Sequence, residues 1–260
     1  MNDEEYLKKS KLAFNLSHSS IELLDKCSYA FYLRYVLKFY PEGLPPNYST
    51  EYGQLFHDVC EVYTGTGEQE VYNLIAKYKP KYQINDEYEK KIPLGVRNFL
   101  FFWNKYLVGA KKIYREKKIQ VFLNEFLGLN GLLDVLYRLN DGSWIIADWK
   151  SSKKRSNYSA QLSCYFYLLS LISKEPMDKI KCQVVYLCAE KESGITEEYN
   201  LTIDDRDDYE NRILSAVDRL SKMNVEDPKV WRMKPGPLCP WCDYYLERGG
   251  ICEGNKNLEK

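Results

Sequence analysis

Three residues near the middle of the chain, Asp134, Asp148 and Lys150, are of the types that bind divalent cations or form buried ion pairs. They lie within residues 131–150, where two apolar segments flank a short polar segment at residues 140–142 that ends in glycine. A three-residue loop with glycine in the left-handed position is a common hairpin connection. The sequence therefore predicts a β-hairpin that carries all three residues.

The register of this hairpin decides whether the three side chains meet. If Leu139 pairs with Ser143, Asp134 lies opposite Asp148, and directly opposed residues have Cβ atoms roughly 4.5–5.5 Å apart. Lys150 shares a face with Asp148 because side chains alternate along a strand. Two carboxylates and one ammonium group are then expected on one patch, whereas a bulge in the turn would shift the register.

Both strands of the hairpin are otherwise apolar on both faces, which is typical of buried strands. Buried carboxylates need a cation or a metal ion to offset their charge. The hairpin is therefore predicted to bind a metal ion, with a structural ion pair as the alternative. The apolar residues are Leu132, Leu136, Trp144 and Ile146 on one face and Leu133, Val135, Tyr137, Ile145, Ala147 and Trp149 on the other.

The composition limits the classes of protein that the chain can be. Its 260 residues are 45% hydrophobic, enough for a sizeable core, and 37 basic residues balance 37 acidic ones. A neutral chain carries no overall signal for nucleic-acid binding, so that case depends on local clusters. No apolar run is long enough for a membrane span and no signal peptide is recognised, so we expect a soluble intracellular protein without a membrane partner. In a reducing compartment, its eight cysteines favour thiols or metal sites over disulfides.

Two helices are predicted before residue 64. The first spans Ser17–Phe39 and has Ser19 and Glu22 at the spacing of a capping box. The second spans Thr50–Tyr63 and carries His57. A lone histidine is more often structural, but beside a carboxylate hairpin His57 becomes a candidate ligand, because imidazole suits transition metals such as manganese or iron.

Residues 64–118 have aromatic and aliphatic residues at helical spacing and are predicted to form a helical insertion. The basic cluster Lys111–Lys118 at its end is either a solvated face or a contact for phosphates. The strand predicted over Ile119–Leu127 contains one acid, Glu125, which either points at the hairpin site or faces water.

The chain after the hairpin continues the alternation of helices and strands, which predicts an α/β core with a mixed sheet. A helix over Asn157–Leu171 places Gln161 and Tyr165 on one face, beside a basic loop. The basic residues of that loop are Lys153, Lys154 and Arg155. The remaining predicted elements are strands at Cys182–Ala189 and Glu198–Ile203 and a helix at Asp204–Lys222.

Three cysteines lie close together near the end of the chain. Cys239 and Cys242 form a C-x-x-C motif in a segment rich in proline and glycine, and Cys252 follows. Three thiolates cannot complete a tetrahedral structural site, and Cys27 in the first helix is the obvious fourth ligand. An iron–sulfur cluster or a zinc ion could occupy such a site. The other cysteines are predicted to be packing residues: Cys60, Cys164, Cys182 and Cys188.

The joint order of these motifs resembles a known family. His57, Asp134, the sequence Asp148-Trp149-Lys150, and Gln161 with Tyr165 four residues later resemble the PD-(D/E)XK nucleases of the RecB-like branch. The early cysteine and the three late ones further resemble its iron–sulfur members, the Cas4 proteins and the nuclease domain of AddB.

The resemblance implies roles for the matched residues. Asp134 and Asp148 would bind one or two Mn²⁺ or Mg²⁺ ions, with His57 and the backbone carbonyl of Trp149 as further ligands. Lys150 would position the attacking water or stabilise charge on the phosphate. Phosphodiester hydrolysis needs a polarised phosphoryl oxygen and an activated water, and a divalent metal supplies both.

The resemblance also implies contacts away from the hairpin. Gln161 and Tyr165 would contact DNA, together with the basic loop, and Glu125 would be an additional metal ligand. The four cysteines would bind a [4Fe–4S] cluster, with zinc as the alternative. These implied ligands and contacts are Cys27, Cys239, Cys242 and Cys252 for the cluster, and Lys153, Lys154 and Arg155 for DNA.

The implied fold is α/β: a restriction-endonuclease-like core with a mixed central sheet flanked by helices, a helical insertion, and a C-terminal cysteine-rich segment clipped to the first helix. We expect one nuclease domain over residues 1–260. Its parts would be N-terminal helices at 10–63, the insertion at 64–118, the core at 119–222 and the cysteine segment at 223–260.

The implied function is a metal-dependent deoxyribonuclease, acting as an exonuclease on single-stranded ends or flaps in the cytoplasm of a bacterial, archaeal or phage-infected cell. One alternative is a catalytically silent DNA-binding scaffold in a recombination or CRISPR-adaptation complex, and a helicase is a further possible partner. Another alternative is a zinc-stapled RNA-binding protein.

Overall fold

The computed structural model describes two compact units. The residues that it describes are 14–124, 127–152, 156–173, 175–222 and 227–254. The first unit comprises the described parts of Met1–Pro45, Phe122–Leu129 and Glu210–Lys260, and the second comprises the described parts of Pro46–Val121 and Asn130–Tyr209. The single domain expected over the whole chain stays a prediction.

Six strands form one mixed sheet. They are β1 (Phe14–Leu16), β2 (Lys112–Asn124), β3 (Leu127–Arg138), β4 (Trp144–Lys150), β5 (Ile180–Tyr186) and β6 (Thr196–Tyr199). Their order is β1-β3-β4-β5-β6, and β2 pairs with β3. The β1–β3 and β4–β5 pairs are parallel, whereas β3–β4 and β5–β6 are antiparallel. The predicted mixed central sheet is therefore confirmed.

The helices are distributed along the whole chain. They are α1 (His18–Lys26), α2 (Ser28–Phe31), α3 (Tyr48–Val62), α4 (Glu68–Tyr78), α5 (Asp86–Glu89), α6 (Ile92–Phe102), α7 (Ser159–Ile172) and α8 (Ile203–Ser221). Short π turns follow α2 at Tyr32–Val36 and α6 at Trp103–Leu107. Among the described residues, no helix is long and apolar enough to cross a membrane.

The β3–β4 hairpin has the predicted turn and register. The Leu139 N–H donates to the Ser143 carbonyl at 2.9 Å, and Gly142 has a φ of +88°, which favours glycine. The antiparallel pairing keeps this register up to the pair formed by Val135 and Ala147. These two residues are the neighbours of Asp134 and Asp148 in the sequence. The two acids therefore emerge side by side where the regular ladder ends.

One core of the second unit packs helices α3, α4 and α6 against β3 and β4. Helix α3 has apolar residues at three- and four-residue spacing, including Tyr52, Leu55, Phe56 and Val59, so one stripe of it is buried. Trp149 of β4 packs its indole between α6 aromatics, with ring centroids 5.0 and 5.6 Å away. This packing places α3, and with it His57, beside the hairpin.

The first predicted helix, Ser17–Phe39, is wrong as a single element. The helix ends at Lys26, and Cys27 adopts an extended backbone with φ −160° before α2 begins. The capping box is also different: Ser17 caps the helix together with Ser20, where Ser19 and Glu22 were predicted. The break has a physical cause in the first unit, because the Tyr29 N–H donates to the Arg232 carbonyl at 3.2 Å instead of continuing a helix from α1.

Three other predicted boundaries are corrected. Strand β2 begins at Lys112, so the basic cluster assigned to the end of the helical insertion lies largely on a strand. The two late strands, predicted at Cys182–Ala189 and Glu198–Ile203, are shorter and begin earlier. Helical and strand periodicities are hard to separate over runs of four to eight residues, which is why these boundaries were misplaced.

Candidate functional site

Strand β4 places a carboxylate and an amine together at one end of the hairpin. Asp148 is only 2% exposed, and its Oδ2 lies 2.5 Å from the Lys150 Nζ. Both residues project from the same face because side chains alternate along a strand. The predicted convergence of these two charged groups is therefore present.

Asp134 is locked to the same strand by a backbone contact. Its Oδ2 accepts a hydrogen bond from the Trp149 N–H at 2.7 Å. The Trp149 indole N–H in turn donates to the Cys60 Sγ at 3.3 Å. Burial raises the pKa of Cys60 to about 12, so it is a neutral thiol that holds the indole. The metal-ligand role implied for the Trp149 carbonyl stays a prediction.

His57 reaches the hairpin from α3. Its Nδ1 lies 2.8 Å from the Glu116 Oε1 and 3.6 Å from the Asp134 Oδ1. Ligand atoms of these three residues lie within 4.8 Å of one another, which makes them a possible metal-binding group. His57 thus lies beside the hairpin, as the sequence predicts. Its second acidic partner, Glu116, was not indicated by the sequence.

Glu116 is the site residue that sequence reasoning missed. It lies within the basic segment Lys111–Lys118, which was interpreted as a solvated face or a phosphate contact. Its φ is +46°, a backbone conformation uncommon outside glycine. The preceding residue, Arg115, donates to the Cys60 carbonyl at 3.0 Å and to the Tyr63 carbonyl, both at the end of α3.

The Arg115 contacts and the unusual backbone together aim Glu116 at His57. The signal for Glu116 in the sequence is a strand that begins at Lys112. Glu116 is the one acid in the described strand β2. The acid chosen from the sequence, Glu125, lies outside the described residues.

Burial and mutual repulsion alter the acidities of this cluster. Burial, together with the negative charge of Asp148, raises the pKa of Asp134 to about 8. Burial also raises the pKa of Asp148, although Lys150 opposes this shift. Burial lowers the pKa of His57, but the charge of Asp134 and the hydrogen bond with Glu116 outweigh it and raise the value to about 9. Without a metal ion, His57 and Asp134 therefore retain protons near pH 7. Binding of a divalent cation would displace these protons.

The donor set fits a divalent metal ion. Asp148 Oδ2 is buried and lacks a well-oriented hydrogen-bond donor among the described residues, despite its contact with Lys150. The Lys150 ammonium group already offsets the charge of this oxygen, so the case for a metal ion depends on the types of donor that meet here. Carboxylate oxygens suit Mg²⁺ and Mn²⁺, and imidazole tolerates Mn²⁺. His57, Glu116, Asp134 and Asp148 are therefore the residues that would hold the ion.

Gln161 connects the charged pair to helix α7. Its Oε1 accepts from the Lys150 Nζ at 2.9 Å, while its Nε2 donates to the Asp148 Oδ1 at 2.9 Å and to the Tyr165 hydroxyl at 2.9 Å. The predicted shared face of Gln161 and Tyr165 is confirmed. Their predicted contact with DNA stays a prediction, and the basic loop residues Lys153, Lys154 and Arg155 lie outside the described residues.

The four cysteines singled out from the sequence line one cavity of the first unit, of about 630 Å³. The Gly236 N–H donates to the Cys239 Sγ at 3.3 Å, and the Cys252 Sγ lies 3.4 Å from the Met233 sulfur. In the described part of the chain, no three of these sulfurs lie within 4.8 Å of one another. The other four, predicted to be packing residues, are buried: Cys60, Cys164, Cys182 and Cys188.

Comparisons with known proteins agree with this geometry at the level of a family. A family model of the PD-(D/E)XK nuclease superfamily matches residues 15–245. A solved structure titled "Crystal structure of SSO0001" is 16% identical, covers 96% of this chain and 90% of its own, and has a TM-score of 0.43. The comparison with curated proteins found no match.

The match of the family model extends over most of the chain and includes the residues around the hairpin, from His57 to Tyr165, whereas Cys252 lies beyond it. The mixed sheet flanked by helices is the restriction-endonuclease-like architecture expected of that superfamily. Its members are mostly metal-dependent nucleases, and some are inactive. This chain belongs to the PD-(D/E)XK nuclease superfamily.

Proposed function

We propose that the protein is a divalent-metal-dependent deoxyribonuclease that hydrolyses phosphodiester bonds, acting as an exonuclease on single-stranded ends or flaps. The observation that supports it is the group formed by His57, Glu116 and Asp134 next to the Asp148–Lys150 pair. Structural ion pairs rarely collect three acids and a histidine, because like charges repel in a buried site.

In the proposed hydrolysis, the residues of the cluster have different roles. When bound, a divalent ion polarises a phosphoryl oxygen and lowers the pKa of a water. Asp134 and Asp148 would hold the ion, and Asp134 is oriented by the Trp149 N–H. Lys150, which is paired with Asp148, is the ammonium group of this cluster and would stabilise the negative charge that develops on the phosphate. Gln161 keeps that ammonium in place through its amide oxygen.

The test uses end-labelled single- and double-stranded DNA incubated with Mn²⁺ or Mg²⁺, with the products sized over time. We expect short products from single-stranded ends, loss of cleavage with EDTA, and no cleavage by Asp148→Ala or Lys150→Ala. The exposed Lys77→Ala is the control that keeps full activity. Unchanged cleavage in the two site variants would refute the site assignment.

The same experiment separates the enzyme from a scaffold. A catalytically silent scaffold of a recombination or CRISPR-adaptation complex would bind the DNA yet give no products with any divalent ion. The expectations of a helicase partner and of a cytoplasmic location stay predictions.

We further propose that Cys27, Cys239, Cys242 and Cys252 hold a [4Fe–4S] cluster. Around tetrahedral zinc with Zn–S bonds of about 2.3 Å, the sulfurs would be roughly 3.8 Å apart. The four thiols line one cavity, but no three of their sulfurs lie within 4.8 Å of one another. A cluster places its own iron and sulfide atoms between the thiolates, so it suits the wider spacing.

Anaerobic purification followed by iron and sulfide determination tests the cluster. We expect four irons per chain, an absorbance near 400 nm, and loss of both in Cys239→Ser, whereas the buried Cys164→Ala variant keeps them. Stoichiometric zinc with no iron would refute the cluster.

A further inference from the structure

A second polar pocket lies in the second unit, away from the carboxylates. Its volume is about 270 Å³, and it lies beside strands β5 and β6. Gln183 pairs with Ala147 in the parallel ladder and therefore points to the opposite sheet face from the neighbours of Asp148. The pocket, called here the Gln183 pocket, is lined by Tyr106, Tyr137, Gln183 and Glu198, with Lys105 and Lys181 at its rim.

Gln183 is the unusual residue of this pocket. It is 2% exposed in a strand whose neighbours are apolar. One end of its amide donates to the Tyr137 hydroxyl at 2.8 Å, but no described residue bonds to the other end. The amide oxygen is not one of the buried side-chain atoms that lack a hydrogen bond, so it reaches solvent in the pocket. The free end of the amide and the proton of the Tyr137 hydroxyl are therefore available to a ligand.

Glu198 adds a charged acceptor next to that amide. It is directly opposite Gln183 in the antiparallel β5–β6 pair, so their Cβ atoms are about 5 Å apart. Two neighbouring acceptors match a ligand with two neighbouring N–H donors. A carboxylate beside an amide oxygen pairs well with the N1–H and amino group of guanine, and the Tyr137 hydroxyl can donate to its O6.

The walls and rim of the pocket complete the match. Tyr106, whose hydroxyl lies 3.2 Å from the Thr196 hydroxyl, supplies an aromatic ring at the pocket wall next to which a base could stack. Lys105 and Lys181 are exposed at the rim and would neutralise a phosphate. The pocket is large enough for one nucleotide and too small for a strand.

We propose that the Gln183 pocket binds a 5′-mononucleotide, with the base against Gln183 and Glu198 and the phosphate at the two lysines, and that it prefers guanine. This site is independent of the proposed cleavage reaction, because none of its residues belongs to the metal cluster. It would allow the protein to sense free nucleotides.

Isothermal titration calorimetry with dGMP, dAMP, dCMP and dTMP tests this in EDTA, which keeps the catalytic carboxylates free of metal. We expect dGMP to bind at least about tenfold more tightly than dTMP, because the thymine edge offers only one donor. Lys105→Glu and Lys181→Glu should each weaken dGMP binding about tenfold. Both lysines are exposed, so these variants should fold. Gln183→Leu should abolish the base preference.

Two controls separate this pocket from the proposed nuclease site and from DNA ends. Lys150→Ala should lose cleavage but keep dGMP binding. A short oligonucleotide ending in guanine should bind through this pocket no more tightly than dGMP if the free nucleotide is the ligand. No dGMP binding at millimolar concentration, equal binding of all four nucleotides, or loss of binding in Lys150→Ala alone would overturn the proposal.

Discussion

At the residue scale, the candidate site includes one acid, Glu116, that the sequence places within a basic segment. Glu116 lies between Arg115 and Lys117, yet its carboxylate contacts His57 at 2.8 Å. The unusual backbone at Glu116 persists because Arg115 is tied to the last carbonyls of α3. A conformation that costs free energy and is held in place by its surroundings is common at functional sites.

We predict that Glu116→Gln weakens Mn²⁺ binding by about 10- to 100-fold, because it removes a charged oxygen donor while keeping the shape. The measurement is the Mn²⁺ concentration for half-maximal DNA cleavage, together with direct Mn²⁺ titration. Lys117→Gln, one residue along the same strand, is the matched control and should leave both values unchanged. Equal Mn²⁺ affinity in Glu116→Gln and the unaltered protein would exclude Glu116 as a ligand.

Gln161 is a second residue whose role can be tested. Because it accepts from Lys150 and donates to Asp148, we predict that Gln161→Ala lowers the single-turnover cleavage rate about tenfold or more, with little change in DNA affinity. Tyr165→Phe, which removes only the hydroxyl that Gln161 also contacts, should have a smaller effect. Weakened DNA binding with an unchanged rate constant would instead support the DNA contact expected from the sequence.

At the element scale, helix α6 decides where α3 lies. Gly95 of α6 comes so close to α3 that a Cβ atom there would lie 2.2 Å from the Tyr52 hydroxyl and 2.5 Å from the Phe56 ring. Both aromatic residues belong to α3, the helix that carries His57. A glycine in the middle of a helix is otherwise unfavourable, so its presence indicates a need for close packing.

We predict that Gly95→Ala destabilises the protein by about 1–3 kcal/mol, because overpacking forces neighbouring side chains or helices apart. Urea unfolding measures this loss. Gly109→Ala is the control, since a Cβ atom at Gly109 meets nothing within 4 Å. Stability of Gly95→Ala equal to that of the control would contradict the packing described for these helices.

Helix α4 supplies a prediction about pH. Glu70 in its first turn accepts hydrogen bonds from the backbone and hydroxyl groups of Thr64 and Thr66, at 2.7–2.9 Å. Burial favours the protonated acid, but these four bonds dominate and lower the pKa of Glu70 from 4.5 to about 2. A lowered folded-state pKa stabilises the protein above about pH 4.5 and loses this contribution as the pH falls towards 2.

Because Glu70 is partly exposed and screened by solvent, we expect its charge to contribute only about 1 kcal/mol. Glu70→Gln should therefore be less stable than the unaltered protein at pH 7, and the difference should shrink in denaturant titrations repeated down to pH 3. A difference that is independent of pH would show that the carboxylate charge is not the cause.

At the scale of the whole molecule, the candidate chemistry is divided between the two units. The candidate metal-binding residues and the Gln183 pocket belong to the second unit, whereas the four cysteines belong to the first. The cysteines come from two segments far apart in sequence, so a cluster that joins them would constrain the unfolded chain and stabilise the first unit.

We predict that removing iron from the purified protein speeds amide hydrogen exchange in the described residues of 14–45 and 227–254, with little change in β4 and α7. Hydrogen exchange with mass spectrometry measures this by segment. The zinc-loaded protein is an informative comparison, because an ion that binds the same thiols should restore protection. Equal exchange with and without iron would rule out a stabilising role for the four cysteines.

The sequence by itself determined the hairpin, its turn and its register, and with them the meeting of Asp148 and Lys150. It also indicated His57, the shared face of Gln161 and Tyr165, and which cysteines are buried. These features follow from strand alternation, turn chemistry and helical spacing, which act between residues close together in the chain.

Only the tertiary structure decided that Glu116 joins the site, that the first helix breaks at Cys27, and that Gln183 opens into a pocket. Each depends on a contact between segments distant in sequence: Arg115 with the end of α3, Tyr29 with Arg232, and Gln183 with Tyr137. Such contacts are set by how the elements pack, and a local pattern contains no information about which distant residue will be its partner.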